Sequence, residues 1–263
     1  MSKVTHLSHQ LAQKMETAEK ILLVFGAQTS SLDQVAAATA LYVSLKERNP
    51  DKVLTLLSFG EPVVEQVDLV GINKAVTKLP VAGTVIALQR TKDQIKKISC
   101  DTDETTGQVA VVVENMPQMR VLTKEEMILT PMSENYDIVL SFCGARHSLL
   151  KKMGVNNMTP DNTFLFSREK MVDNEAIENI YPEHGSFSGL VAELLRQWAW
   201  QIDVDAASNL LLGLDARTRN FTNGDTEAVL FELAGWLLRA GGQRSLAQTQ
   251  RRREKVRNRN LSP

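Results

Sequence analysis

The sequence predicts an α/β protein: a parallel sheet with helices on both faces, an inserted β-hairpin and a helical C-terminal part. Three patterns carry that prediction. Residues 21–25, ILLVF, form an unbroken apolar run of the kind a strand needs when both its faces are covered. Text of helical period separates this run from a second at residues 53–59, and strand, helix, strand is the βαβ unit of a parallel sheet. After Pro182, apolar residues recur at helical spacing.

Taken in order, residues 8–20 are polar and amphipathic and predict a first helix. The helix after the first strand is expected from about Asp33, with Val35, Ala38, Leu41 and Leu45 on one face and Asn49-Pro50 as its stop. The loop between them, at the carboxyl end of the strand, is where sheets of this kind bind ligands. From residue 83 to about 116 the character changes. Residues 85–88, 95–100 and 108–113 are short apolar or alternating runs, and the turn-rich DTDETTG at 101–107 predicts an antiparallel hairpin inserted in the domain or lying at its edge.

Parallel-strand character resumes at residues 137–142, followed by a short helix around 148–153 and a strand at Thr163–Phe166. In the helical part, about residues 185–242, Leu190, Val191, Leu194, Leu195 and Trp198 form one stripe. Residues 204–212 and 226–240 predict two more helices, the last ended by Gly241-Gly242 as a C-cap. Residues 1–242 are expected as one domain and residues 243–263 as a flexible basic tail.

With 263 residues, 43% of them apolar, the chain is long enough to bury a full core. Its net charge of −1 conceals an asymmetry: from Arg239 onward eight Lys or Arg face the single acid Glu254, while 22 basic and 30 acidic residues precede them. The segment from Arg239 onward is therefore +7 and the rest of the chain −8. Arg251, Arg252, Arg253, Lys255 and Arg257 would release counterions from nucleic-acid phosphates, although no aromatic residue interleaves to stack on bases, and a solvated tail is the competing reading. Cys100 and Cys143 lack the spacing of zinc ligands. No apolar run approaches the roughly 20 residues that cross a bilayer, and no segment reads as a signal peptide, so a reducing cytoplasm is expected and a membrane is not.

Four stretches carry a family resemblance. Residues 24–41, VFGAQTSSLDQVAAATAL, are a buried strand, a loop and a helix rich in small residues. A strand runs into Cys143, and PEHGSFSGLVAELL follows from Pro182. Gly213, Leu214, Thr218 and Phe221 fit the pattern G-I-x-x-D-T-x-x-F, with Glu193, Ala206, Ala207 and the helix ending in Ala-Gly-Gly around it. In this order and spacing the chain resembles the DHH phosphoesterase superfamily, whose members hydrolyse phosphodiester or phosphoanhydride bonds with divalent metals. The resemblance is to a DHH domain alone, since the glycine-rich GGGH motif of the family's second domain has no counterpart.

The resemblance places the family's metal-binding positions on Ala27, Ser31 and Asp33, on Cys143, on Phe166, Ser167 and Arg168 in place of the Asp-His-His triplet, and on Arg217 in place of the last aspartate. Only Asp33 retains a ligand. Hydrolysis through two metal ions needs several carboxylates and imidazoles converging on hard cations. One aspartate does not supply them, and arginines at two converging positions would repel a cation. A catalytically inactive, degenerate member without a metal cofactor is therefore expected.

Arg168 and Arg217 would replace the cations and hold a phosphate or nucleotide, or one of them would pair with Asp33 and plug the site. The alternative function is an active phosphoesterase using Mn2+ or Mg2+ on short oligonucleotides or similar small phosphodiesters. Among lesser candidates, His147 and His184 read as surface or hydrogen-bonded histidines, Cys143 as a small buried hydrophobe, and Ser30 and Ser31 as helix caps. The expected partners are a nucleotide, RNA or single-stranded DNA, with a protein partner or a second copy pairing at the hairpin edge.

Overall fold

The computed structural model describes residues 3–26, 30–63, 68–103, 106–142, 150–151, 154–155, 157–167, 178–180 and 182–244. They fall into two compact units, Met1–Leu79 with Asn135–Pro263, and Pro80–Glu134. In chain order the elements are α1 (Lys3–Thr17), β1 (Lys20–Gly26), α2 (Leu32–Arg48), β2 (Val53–Phe59), β3 (Val81–Leu88), β4 (Ile95–Thr102), β5 (Val109–Asn115), β6 (Met127–Ser133), β7 (Ile138–Ser141), β8 (Thr163–Phe166), β9 (Glu178–Ile180), α3 (Phe187–Gln197), α4 (Val204–Thr218) and α5 (Ala228–Arg239).

The larger unit carries the expected parallel sheet, in the order β2-β1-β7-β8-β9. Every pairing in it is parallel. All of β1 except Lys20 is buried, as its apolar run requires. Alternate residues of β1 serve two cores. Ile21, Leu23 and Phe25 join Leu11 of α1, Val35 and Leu41 of α2 and the apolar stripes of α3, α4 and α5. Leu22 and Val24 join Leu57, Tyr136, Val139, Leu150, Val155 and Met158. The short helix expected around residues 148–153 falls largely outside the described residues.

Small residues govern how the helices meet. Gly213 of α4 has no room for a side chain, because an added Cβ would lie 1.9 Å from Ser188 Oγ and 3.0 Å from Ala36 Cβ. A glycine at this place suggests a helix end, yet α4 continues through it to Thr218, six residues past the expected stop at 212. Close approach of α2, α3 and α4 explains the glycine better than chain termination does. At the far end of α5 the expected cap is present: Gly241 has φ +89°, and the amides of Gly241 and Gly242 bind the carbonyls of Leu238 and Leu237.

The insertion is larger than the hairpin expected at residues 83–116. It spans Pro80–Glu134 and holds two antiparallel pairs, β4 with β5 and β3 with β6. Pro131 hides β6 in the sequence, because proline inside an apolar run argues against a strand; here it lies opposite Thr84 on a two-stranded ribbon, where a missing amide costs little. Arg90 organises the connections. Its buried guanidinium donates to both carboxylate oxygens of Glu126, to Asn115 Oδ1 and to the carbonyls of Arg120 and Val121. Among the described residues no helix is long and apolar enough to cross a membrane.

Candidate functional site

In the large sheet the chain passes from β1 to β2 on one side and takes up β7 on the other, so the carboxyl ends of β1 and β7 flank the point where strand order reverses. Open α/β sheets bind ligands at such a point. The first helix to start there is α2. Ser31 is its N-cap and forms a capping box with Gln34, accepting from the Gln34 amide while the Gln34 side chain accepts from Ser31 N. Gln34 Nε2 also donates to the carbonyl of Phe142 at 2.9 Å, tying the start of α2 to the end of β7. Ser31 is thus a capping residue, as its place between strand and helix suggests.

Asp33, the single retained ligand of the resemblance, is 1% exposed. Its Oδ1 accepts from Ser186 Oγ at 3.0 Å and from the Ser188 amide at 2.9 Å, and its Oδ2 accepts from the Phe187 amide at 2.9 Å. Phe187 and Ser188 are the first two residues of α3, so this carboxylate sits on that helix's N-terminus, where unpaired amides and the helix dipole favour negative charge. Burial pushes the carboxyl above its usual range, while the amides of Ser188 and Phe187 pull it back.

Arg217 lies in the last turn of α4, half-buried, and its Nε donates to the Gly185 carbonyl at 2.8 Å. Gly185 has φ +70°, and a Cβ there would press within 3.0 Å of Arg217 Nη2. Asp33 and Arg217 therefore both bind the same turn, residues 185–188. They do not pair with each other. Of the two arginines expected to plug the site by pairing with Asp33, Arg217 does not do so, since the amides of Phe187 and Ser188 hold the carboxylate, and Arg168 lies outside the described residues. Among the described residues, the two Nη groups of Arg217 have no acceptor.

The remaining described positions are not ligand-like. Phe166 is fully buried and stacks on Phe142, with ring centroids 4.2 Å apart and planes within 10°. Ser167 is 7% exposed, and its amide donates to the Ile180 carbonyl. Ala27, Cys143 and Arg168, together with His147 and the basic tail of Arg251, Arg252, Arg253, Lys255 and Arg257, lie outside the described residues. A two-metal centre does not fit those that are described: Asp33 is spent on α3, Ser31 on α2, Phe166 is apolar and Arg217 cationic.

Two features escape the sequence. His184 is a hydrogen-bonded histidine, as one of its two expected readings has it, its Nδ1 accepting from the Ser186 amide at 3.3 Å, but it is buried with its Nε2 3.4 Å from Glu193 Oε2, a neighbour the sequence does not suggest. Their spacing of nine residues spans a helix start, which hides the proximity. The second is the end of α4, where Arg219, Asn220 and Phe221 all have positive φ. Three consecutive non-glycine residues in that region are strained. Thr218 Oγ1 holds the turn by accepting from the Phe221 amide, and Phe221 packs on Phe231, so the motif residues Thr218 and Phe221 have structural work of their own.

No protein-family model and no curated protein matches the chain. Among solved structures, the crystal structure of an exopolyphosphatase-related protein from Bacteroides fragilis is similar, with TM-score 0.60 and 13% identity over 92% of this chain. The two share a fold. The chain spans 59% of that protein's length. An α/β architecture with a parallel sheet flanked by helices is thus common to this chain and that exopolyphosphatase-related neighbour.

Proposed function

We propose that the protein is a non-hydrolytic phosphoesterase-fold protein that binds a phosphate-bearing ligand, a nucleotide or a short single-stranded nucleic acid, beside Arg217. The observation that carries the loss of hydrolysis is the commitment of Asp33: a buried carboxylate whose two oxygens take three donors at the start of α3 has little left for a hard cation that needs several oxygen ligands. The binding half rests on Arg217. Its Nε is fixed by Gly185, and both Nη groups lack an acceptor among the described residues, an arrangement that suits a phosphate oxygen pair.

The basic tail strengthens the nucleic-acid reading. Arg244, the last described residue, makes a bidentate pair with Asp215, two residues before Arg217 in sequence, and lies over the Phe221 ring. We place the protein in a reducing compartment, the cytoplasm, in keeping with the exposed free thiol of Cys100.

Isothermal titration with inorganic phosphate, AMP, a ribonucleotide pentamer and, because the neighbour is exopolyphosphatase-related, short-chain polyphosphate tests the binding. Saturable heat from at least one probe, lost in Arg217→Ala, is expected; no heat from any of them overturns this half. Incubation of the pentamer and of bis-p-nitrophenyl phosphate with Mn2+ or Mg2+ tests the other half. Turnover that vanishes in Asp33→Asn, with the fold intact by circular dichroism, would establish the active, metal-dependent enzyme instead.

A further inference from the structure

The inserted unit, Pro80–Glu134, exposes unusual amounts of apolar surface: Ile98 is 55% exposed, Val111 45% and Val109 68%. Ladder register shows how these residues are arranged. Ile98 lies opposite Val113, Cys100 opposite Val111 and Thr102 opposite Val109, which puts all of them on one face of the β4–β5 ribbon. Among the described residues this sheet has two strands and nothing pairs with the outer edge of β4, and an open edge next to exposed apolar side chains is a template for another strand.

The sequence of that edge is complementary to itself. Residues 97–101 read Lys-Ile-Ser-Cys-Asp. Laid antiparallel on a second copy about a two-fold axis through Ser99, Lys97 falls opposite Asp101 of the other copy and Ile98 opposite its Cys100. On the polar face, Lys97 would then stand between Glu114 of its own ribbon, its partner in the ladder, and the incoming Asp101. On the other face, the row Val113, Ile98 would continue into Cys100 and Val111 of the second copy, merging two exposed stripes into one. Strand β5 offers no such match, since VAVVVEN contains an acid and no base.

We infer that the protein forms a two-fold homodimer by antiparallel pairing of β4 with β4 of a second copy, centred on Ser99. An isologous contact of this kind closes on itself and does not propagate. The occupant is a second copy rather than an unrelated strand because opposite charges directly across a ladder stabilise it and like charges oppose it, and this edge meets that condition with itself.

Sedimentation and light scattering on the full chain are expected to give a dimer. Asp101→Lys and Lys97→Glu should each weaken it at least about tenfold, and an equimolar mixture of the two should restore it as a heterodimer in which both pairs are again opposite in charge. That recovery is independent of any folding defect. The axis is tested by cross-linking. Cα atoms of Ser99 would stand about 5 Å apart across the two-fold, within disulfide reach, whereas those of Lys97 would be about 14 Å apart. Ser99→Cys in a Cys100→Ser background should oxidise to a covalent dimer, and neither Lys97→Cys in that background nor Cys100→Ser alone should. A monomer at every accessible concentration, a dimer indifferent to the charge substitutions, or a disulfide from Lys97→Cys in place of Ser99→Cys would each overturn the pairing.

Discussion

Replacing Asp33 separates a structural carboxylate from a catalytic one. In Asp33→Ala the amides of Phe187 and Ser188 and the hydroxyl of Ser186, all buried, lose their acceptor at once. Hydrogen bonds to a charged group contribute about 1.5–3 kcal/mol each, and stranding a buried donor costs about 1–3 kcal/mol. Three losses are not additive, since Ser186 Oγ can turn toward another acceptor and the buried charge itself disappears. A net destabilisation of about 3–5 kcal/mol follows, the range seen when one partner of a buried charged network is removed. In a chain of this length about 2–4 °C is lost per kcal/mol, so thermal unfolding followed by circular dichroism should show a fall in Tm of roughly 10 °C. Asp33→Asn keeps the shape but turns an NH2 group toward at least one donor, and should fall by about half as much. A carboxylate held for metal chemistry behaves in the opposite way, because its removal relieves electrostatic strain. Asp33→Ala within about 1 kcal/mol of the parent, or an Asp33→Asn variant more stable than the parent, would refute the helix-terminus role.

The close meeting of α2, α3 and α4 predicts that Gly213→Ala destabilises by about 3 kcal/mol in urea unfolding, through its contact with Ser188 Oγ, and that adding Ser188→Gly recovers part of the loss. The inserted unit predicts an acid response of definite sign. Arg90 pulls the Glu126 carboxyl from its ordinary 4.5 down to about 2, so this group's contribution is complete above pH 4.5 and is lost as pH falls from there towards 2. Hydrogen exchange of amides in β3 to β6 should accelerate through that window, and Glu126→Gln should remove the pH dependence.

Much of the large unit is legible in the sequence because its signals are local. The apolar run of β1, the periodicity of α2 and the stripe of α3 each report burial within a few residues, and the boundaries of β2 and β8 coincide with those expected. What stays hidden depends on pairing across long separations. β6 conceals itself behind Pro131, and β9 is three residues long. In the candidate site, Ser31 is readable as a cap from its neighbours alone. The acceptor role of Asp33 is not, because its donors lie more than 150 residues further on, and nothing in the text around Pro182 marks the 185–188 turn as the place where Asp33 and Arg217 meet.

The geometry of that turn separates side chains that the fold itself requires from those it does not. Phe166 is a stacked, fully buried aromatic ring whose place in the fold is accounted for by packing alone. Asp33 differs, because α3 begins directly beneath it and would present bare amides to the core without it. Its presence is therefore poor evidence for hydrolysis, since the helix needs the carboxylate whether or not a metal ever binds. Arg217 is the informative residue. Its Nε is fixed by the Gly185 carbonyl while its remaining donors are unmatched among the described residues, and under the proposed function an external anion would complete it.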